Sequence, residues 1–379
     1  MAAIEKYKRI TGLRVMKPLY TVMVLLNFVA VIALVFALTA GKLSPSEHDI
    51  IPVFGLFYPI FLIANVVFMI CWLLARKPLF LLSAFTIIIG YSNLSDNYQI
   101  SLNQEDPEID TAAIRVLTYN VQQFRDGKLH EYPGTKSDIL SFISKQNAEI
   151  ICLQEYQSTG KHIYDSLKKT RDDLNTGTYY YESYYNPKYN QLSGLVIFSR
   201  FKAVNSGKLK TEGSRTFGIF TDLLINSDTV RVFNIHLASI KLAKEDIGFV
   251  ASPAAESQEM IKTKSLAIYE KLYRAFLLRE KQTTYLIELI DKTPYKIILS
   301  GDFNDTPSSW VYHQLQKKLN DSFVQKGNGI GVTFAGSIPL LRIDYIMHSG
   351  FTTLSFKRHN FKRSDHYPIA SVLKLNHTN

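Results

Sequence analysis

Two long apolar runs near the start of the chain constrain its fold more than any other feature. Leu19 to Ala40 is 22 almost wholly apolar residues, and Ile50 to Ala75 is 26. A helix rises about 1.5 Å per residue and a bilayer's hydrocarbon core is about 30 Å thick, so each run is long enough to cross a membrane. A third run, Pro78 to Tyr91, has 14 residues and spans only if Ser92 to Leu94 join it or the bilayer thins locally. The pattern predicts a membrane region over residues 1–94 with three transmembrane helices, about 19–40, 50–75 and 78–94. A cleaved signal peptide is the alternative for the first run, since basic residues precede it and Thr39 and Gly41 are small. The run is longer than a usual signal core and two more apolar segments follow at once, so it reads as a retained anchor.

Orientation follows from the basic residues. Lys6, Lys8, Arg9, Arg14 and Lys17 precede the first run and Arg76-Lys77 separate the second from the third, whereas the first loop sets Lys42 against Glu47 and Asp49. The positive-inside rule puts the N-terminus in the cytoplasm, and three spans then carry the rest of the chain to the outer side, as in a bacterial inner-membrane protein. Of the net charge of +10, residues 1–100 hold 8 basic and 4 acidic side chains, leaving 35 and 29 for the remainder. That excess suits an anionic substrate or membrane surface, a solvated surface explains it equally well, and it does not by itself imply nucleic acid. Cys71 lies in an apolar run and Cys152 in a strand pattern, so no disulfide is expected.

Residues 95–112 are polar, rich in Asp and Glu, and lack an apolar period, which reads as a linker. From residue 113 to 379, short apolar runs alternate with helical patterns. Ile114 to Leu117 and Glu149 to Leu153 read as strands around a helix near Ser137 to Gln146, and six more runs continue the series to Leu375. A helical period through Met260 to Phe276 resumes at Tyr285 to Ile290 and reads as a core-packing helix, with a lid or membrane-facing loop as the alternative for the part from Lys241 to Lys264. Strands and helices in this order favour two packed mixed sheets with helices outside. No internal repeat, P-loop, zinc-finger spacing or paired CxxC occurs.

Chemistry-bearing residues recur at the ends of these strands. Gly301-Asp302-Phe303-Asn304 follows Ile297-Ile298-Leu299, so Asp302 and Asn304 share one face of a strand end, where a phosphate is gripped readily. Ser364-Asp365-His366 lies near the C-terminus, and Asn120, Glu155, His236 and Asp344 each close or open an apolar run. Taken singly each has a plain explanation: a β-turn for Gly-Asp-Phe-Asn, an Asp-capped turn for Ser-Asp-His, a solvated cap for Glu155, a satisfied structural histidine for His236. Glu155 is the best candidate metal ligand, because Mg²⁺ prefers carboxylate oxygen and keeps most of its waters. His348 and His359 fit no pattern and read as surface residues.

Six such pieces in this order, from Ile114 to about Leu375, resemble the endonuclease/exonuclease/phosphatase superfamily of DNase I-like phosphoesterases. The resemblance implies a four-layer α/β sandwich of two mixed β-sheets flanked by helices. It also implies Mg²⁺, for which Mn²⁺ substitutes, held by Glu155 with Asp365 at the metal or its water shell. Asn304 and Asn120 would donate to phosphate oxygens, His236 would assist the phosphate or leaving group, and Asp344 would support His366. Asp302 would orient or deprotonate the attacking water; between Asp302 and His366 as base the reading takes His366. A phosphate-contacting Tyr or Arg has no clear match among Tyr184, Tyr185, Tyr189 and Arg200, and the Tyr-rich stretch reads as packing, base stacking or lipid contact.

The expectation is a membrane-anchored, metal-dependent hydrolase of phosphodiesters, with nucleic acid or phospholipid as substrate partner. Phosphomonoester hydrolysis, or a catalytically silent membrane-tethered scaffold, is the alternative.

Overall fold

Runs of Val, Ile and Leu form strands where both faces of the sheet can be covered. The computed structural model describes residues 2–100, 113–125, 135–157, 163–186, 191–212, 215–252, 257–336 and 338–376. In chain order the strands are β1 Ala113–Asn120, β2 Ile150–Gln157, β3 Thr178–Asn186, β4 Gln191–Ser199, β5 Lys202–Leu209 and β6 Gly218–Ile225. They continue as β7 Asp228–His236, β8 Lys296–Asp302, β9 Asn320–Asp321, β10 Asp344–Ser349, β11 Phe351–Arg358 and β12 Ile369–Leu375. One sheet has the order β11-β12-β1-β2-β4-β3 and the other β5-β6-β7-β8-β10-β9. Each has one parallel pair, β1 with β2 and β7 with β8, which a long crossover must join.

The helices from Ala2 to Lys326 number α1 to α11. The N-terminal five are α1 Ala2–Thr39, α2 Ile51–Leu56, α3 Tyr58–Leu74, α4 Phe80–Ile89 and α5 Tyr91–Asn97. The other six are α6 Thr135–Lys145, α7 Ile163–Asp173, α8 Lys244–Ala251, α9 Gln258–Asp291, α10 Trp310–Gln316 and α11 Ser322–Lys326.

Alternation along the strands builds four layers. Val116, Cys152 and Ile197 of one sheet meet Ile219, Val232 and Ile298 of the other in a central core. The next residues along the same strands, Leu117 and Leu153, turn outward to Ile139, Ile143 and Leu167 of α6 and α7. On the far side Phe233, Ile297 and Leu299 pack on Leu286, Ile290, Val311 and Leu315 of α9 and α10. This is the expected DNase I-like sandwich. Cys152 is buried in it and Cys71 lies in α3, and both are free.

The apolar N-terminal runs form helices with different breaks from those expected. Pro18–Thr39 is the one described helix long and apolar enough to cross a membrane. The second run divides at Phe57 into α2 and the 17-residue α3, and the third divides at Gly90 into the 10-residue α4 and α5. Leu34 and Ala37 of α1 bury against Tyr58, while Asn27 Nδ2 donates to Ser83 Oγ (2.8 Å) and Trp72 Nε1 donates to Asn27 Oδ1 (2.9 Å). Buried amide and hydroxyl side chains thus tie α1 to α3 and α4.

The helical region is seated on the sandwich rather than held off by a loose linker. Ser46 N and Tyr269 Oη donate to Glu280 Oε2 (2.9 Å) and Asp49 Oδ2 (2.8 Å), tying the loop before α2 to α9. Gln316 Nε2 donates to Asp96 Oδ1 (2.6 Å), and Gln99 makes a two-way backbone bridge with Gly329. The start of the predicted 95–112 linker is therefore docked, and residues 101–112 lie outside the described part. Described residues of the 241–264 segment pack too: Leu242, Phe249 of α8 and Ile261 of α9 share a cluster with Val53, Leu56 and Phe57.

Candidate active site

The register of the second sheet puts three of the sequence-predicted residues side by side. His236 pairs with Asp302 across β7 and β8, and Asp302 pairs with Asp344 across β8 and β10. β8 must lie close to β7 for this: a Cβ at Gly301, whose φ is +138°, would sit 2.0 Å from Ile235 O. The glycine before Asp302 is thus required by backbone approach. Asn120 arrives from the end of β1 in the other sheet, and its Nδ2 donates to Asp302 Oδ2 (3.0 Å) while its Oδ1 accepts from Gln122 N (3.0 Å). Asn304, in left-handed backbone at φ +52°, donates its N–H to the other oxygen of Asp302 (2.8 Å) and its Nδ2 to Leu237 O (3.0 Å).

His366 stands just before β12, where Ser364 Oγ donates to Asn120 O (2.7 Å) and accepts from His366 N (3.2 Å). Its Nδ1 lies 2.8 Å from Asp344 Oδ2, and its Nε2 points to Asp302 Oδ2 at 3.7 Å. Glu155 leaves the strand alternation at a register shift between Leu153 and Tyr156, with φ +53°. A bulge of this kind re-aims a side chain at a sheet end. The Glu155 carboxylate faces His236 Nε2 at 3.7 Å and takes a long 3.4 Å bond from Gln123 Nε2. Asp365 Oδ1 lies 3.9 Å from His366 Nε2.

Burial and charge act together here. Burial, then the neighbouring Asp365, pushes the Glu155 carboxyl above the ordinary value. Burial likewise raises Asp302 against the pull of His366. Burial holds His236 down despite Asp302, with Arg215 adding to the effect. Burial also opposes the His366 imidazolium, but Asp344 and Asp302 overcome it and raise that group well above an ordinary histidine. The result is a cleft lined with carboxylates, with one histidine tied to a carboxylate and held toward its charged form.

Residues 117–366 match the family described as Endonuclease/Exonuclease/phosphatase. The chain belongs to the endonuclease/exonuclease/phosphatase family. Residues 20–97 match a second family, described as a domain of unknown function, DUF8431. Among solved structures, the chain is similar to an endonuclease/exonuclease/phosphatase from Beutenbergia cavernae at 16% identity and TM-score 0.49, covering 70% of this chain and 72% of that one. It is also similar to the human Nocturnin catalytic domain with bound sulfate, at 18% identity and TM-score 0.48, over 70% of this chain and 95% of that one. A third is the Bacteroides thetaiotaomicron mannosyl-6-phosphatase Bt3783, at 15% identity and TM-score 0.46, over 69% and 99%. No curated protein sequence matches it.

Divalent metals are typical of endonuclease/exonuclease/phosphatase enzymes, and the donor set fits one. Glu155 takes amide contacts from Asn120 and, at 3.4 Å, from Gln123, its charge is opposed by Asp365, and Gln123 Oε1 beside it is a buried acceptor with no hydrogen-bond partner. A hard cation relieves the repulsion and the orphaned acceptor together. Asp302, Asp344 and His366 also place ligand-type atoms within 4.8 Å of one another. In that trio, however, Asp344 and His366 are bonded to each other and Asp302 accepts from two amides. Its geometry suits proton handling better than a cation cage.

All six predicted pieces therefore converge, but other readings change. His348 is wholly buried in β10, its Nε2 2.7 Å from Thr353 Oγ1, because the strand's inward face reaches α11; it is not a surface residue. His359 is half-buried, edge-on to Phe142 at 5.3 Å. Arg200 pairs with Glu149 (3.2 Å) at the opposite end of β2 from Glu155, so it does not reach a phosphate. The side chains of Tyr184, Tyr185 and Tyr189 lie outside the described part.

Sequence reasoning missed Gln122, whose Oε1 accepts from Asp365 N (3.1 Å), and Gln123. It also missed Arg279, wholly buried, which donates from Nη1 to Ala238 O (3.2 Å) and Asn304 O (2.6 Å) and pairs with Asp305 at 3.0 Å. An arginine on the buried stripe of α9, between Phe276 and Leu286, was the signal available.

Proposed function

We propose that the protein is a membrane-anchored, Mg²⁺-dependent phosphoesterase that hydrolyses phosphodiesters, with Mn²⁺ able to substitute. The observation that carries this reading is the convergence of Asn120, Glu155, His236, Asp302, Asn304, Asp344 and His366 on one edge of the two sheets.

Glu155, with Asp365 beside it, would hold the ion, which when bound supplies charge neutralisation at the phosphoryl oxygens. Asp344 fixes His366 by Nδ1, so Nε2 is the ring atom that, in the neutral ring, takes the proton of the attacking water, and the Asp344 and Asp302 carboxylates then stabilise the imidazolium formed. Asp302, 3.7 Å from that nitrogen, orients the water, and its own position is held by Asn120 and Asn304. An amide nitrogen carries two N–H groups, so Asn304 keeps a donor for a phosphoryl oxygen beyond its bond to Leu237 O, and Asn120 would turn one of its two N–H groups from the Asp302 and Glu155 carboxylates to the phosphate. His236, 3.5 Å from Asp302 Oδ2, stands where it can donate to the leaving oxygen.

The arrangement predicts that Asp344 and His366 act as a unit. Asp344→Asn and His366→Ala should each lower kcat about 10²–10⁴-fold, and the double variant should lose no more than His366→Ala alone. Steady-state kinetics check this; multiplicative losses would mean that the two residues act independently.

The membrane reading is supported by the packing of α1 against α3 and α4, which a removed signal segment would not share. It is also supported by the seating of the Lys42–Asp49 loop and the end of α5 on the same sandwich, as three passes from a cytoplasmic N-terminus require. α3 is about 26 Å long at 1.5 Å per residue, and α4 needs α5 or a thinned bilayer to complete a pass. A phospholipid head-group ester is favoured over nucleic acid. Phe334, edge-on to His366 at 5.4 Å, belongs to the apolar cluster that runs back to Val53 and Phe57.

The test is hydrolysis by the full chain in nanodiscs, with Mg²⁺ or EDTA. Substrates are phospholipid vesicles, DNA, RNA, bis(p-nitrophenyl) phosphate and p-nitrophenyl phosphate. Turnover of the diesters that EDTA abolishes and Mg²⁺ restores is expected. Preference for the monoester would replace the diesterase reading with a phosphatase, and silence on every substrate would leave the scaffold reading.

A further inference from the structure

We infer that the N-terminal helical region is part of the active site's positioning apparatus: α2 and α5 hold the two loops that carry Asp302, Asn304 and Asp344. This rests on the phosphoesterase reading of that site.

Arg342, two residues before Asp344, is buried beneath it. Its Nη1 donates to Asp321 Oδ2 (2.7 Å) and its Nη2 to Asp96 O (2.7 Å), a carbonyl in α5. The guanidinium lies over the rings of Phe323 (4.5 Å) and Tyr345 (4.6 Å), the latter adjacent to Asp344. Tyr345 Oη in turn lies 2.8 Å from both Arg342 O and Asp305 O, so the Asp344 strand and the Asp302–Asp305 loop share one tie. A planar fork with five donors can hold a helix carbonyl and a carboxylate at once, which a lysine cannot reproduce.

The second loop is held from α2. A Cβ at Gly55 would meet Ala40 Cβ at 2.6 Å and Ser308 O at 3.2 Å, so α2 lies directly on the segment after Asn304. Thr306 Oγ1 donates to Gly55 O (3.4 Å) and Asn97 Nδ2 to Ser308 Oγ (3.4 Å). Phe303 N donates to Ile343 O (2.8 Å), which closes the circuit between the loops. Helix contacts thus meet the segment after Asp302 and the segment before Asp344. Arg342 and Gly55 are positioning residues, since neither touches the reacting atoms.

A misplacement of about 1 Å at a catalytic group costs up to about 10²-fold in rate. The experiment compares the full chain in nanodiscs with Gly55→Leu, Gly55→Ala and Arg342→Lys, using bis(p-nitrophenyl) phosphate with Mg²⁺ and hydrogen exchange on the same samples. Gly55→Leu is expected to lower kcat about tenfold or more with KM within about twofold, and Gly55→Ala less in the same direction. Arg342→Lys should also lower kcat at constant KM, with faster exchange confined to the amides of 303–309 and 342–346. Wild-type kcat in every variant that folds, or losses that follow only the folded fraction, overturns the inference. An inactive wild type would instead overturn the phosphoesterase reading, and the exchange data would still report whether the helices hold the loops.

Discussion

Replacing Asp302 by Asn in the full-length protein should lower kcat/KM by about 10³-fold or more while raising thermal stability in EDTA. Both parts come from one environment. Asp302 is buried where β8 meets β7 and β10, accepts from Asn120 Nδ2 and Asn304 N, and faces the Nε2 atoms of His236 and His366 at 3.5 and 3.7 Å. An amide keeps the size but removes the charge that orients water between the two histidines. It also places an N–H group against the donor of Asn120.

The stability sign follows from the raised carboxyl: an acid whose folded value lies above its unfolded value costs stability once ionised, and the cost grows as pH rises through the ordinary carboxylate range. The neutral amide avoids that cost, a trade of activity against stability common at reacting centres. Melting curves and kinetics on one preparation check it. An active Asp302→Asn enzyme would remove Asp302 from the chemistry, and a lower melting temperature in EDTA would remove the electrostatic account.

Arg342→Met should be the most damaging single change outside the cleft, at about 3–5 kcal/mol of stability, because it leaves Asp321 buried and unpaired. The pair is deep: the side chains are 2% and 1% exposed, at 2.7 Å. Burial works against the guanidinium, yet Asp321 outweighs it and holds the charged form. Asp321 keeps bonds from Tyr312 Oη (2.9 Å) and Phe323 N (2.9 Å), too few for a full charge away from water. Adding Asp321→Asn to Arg342→Met should recover part of the loss, since the neutral amide still offers an acceptor to Phe323 N and leaves no unpaired charge buried. Denaturant midpoints for the two single variants and the double in detergent measure it. A double variant no better than Arg342→Met would show that the packing of the arginine over its rings, rather than its charge pairing, is what matters.

Much of the fold is periodic and so was legible along the chain. Two-residue alternation in Val116-Leu117 and Cys152-Leu153 sends neighbours to opposite faces, so strands covered on both faces were legible, while two packed sheets were favoured by the order of strands and helices and the four-layer sandwich was what the family resemblance implied. The strand-end residues were legible as well, because a polar group that closes an apolar run lies at a sheet edge whatever the topology. Asp302, Asp344 and His236 therefore needed only register to meet.

Contacts between segments far apart in the chain were not legible. The Arg342 to Asp96 bond joins positions 246 residues apart, and Gly55 meets Thr306 across 251. No local period encodes such a pairing, so residues 95–112 read as a free linker although Asp96 and Gln99 are docked. The misplacement of His348 has the same origin, since burial in β10 depends on what α11 covers.

The amino-acid order alone thus determined the apolar helices, the strands and the residue types at their ends. Tertiary structure decided which ends share a cleft, how the bulge turns Glu155 toward it, and that the helical region buttresses it. The physical reason is that hydrophobic period and side-chain chemistry are local properties, whereas register, close backbone approach and buried charge pairing exist only once distant segments pack.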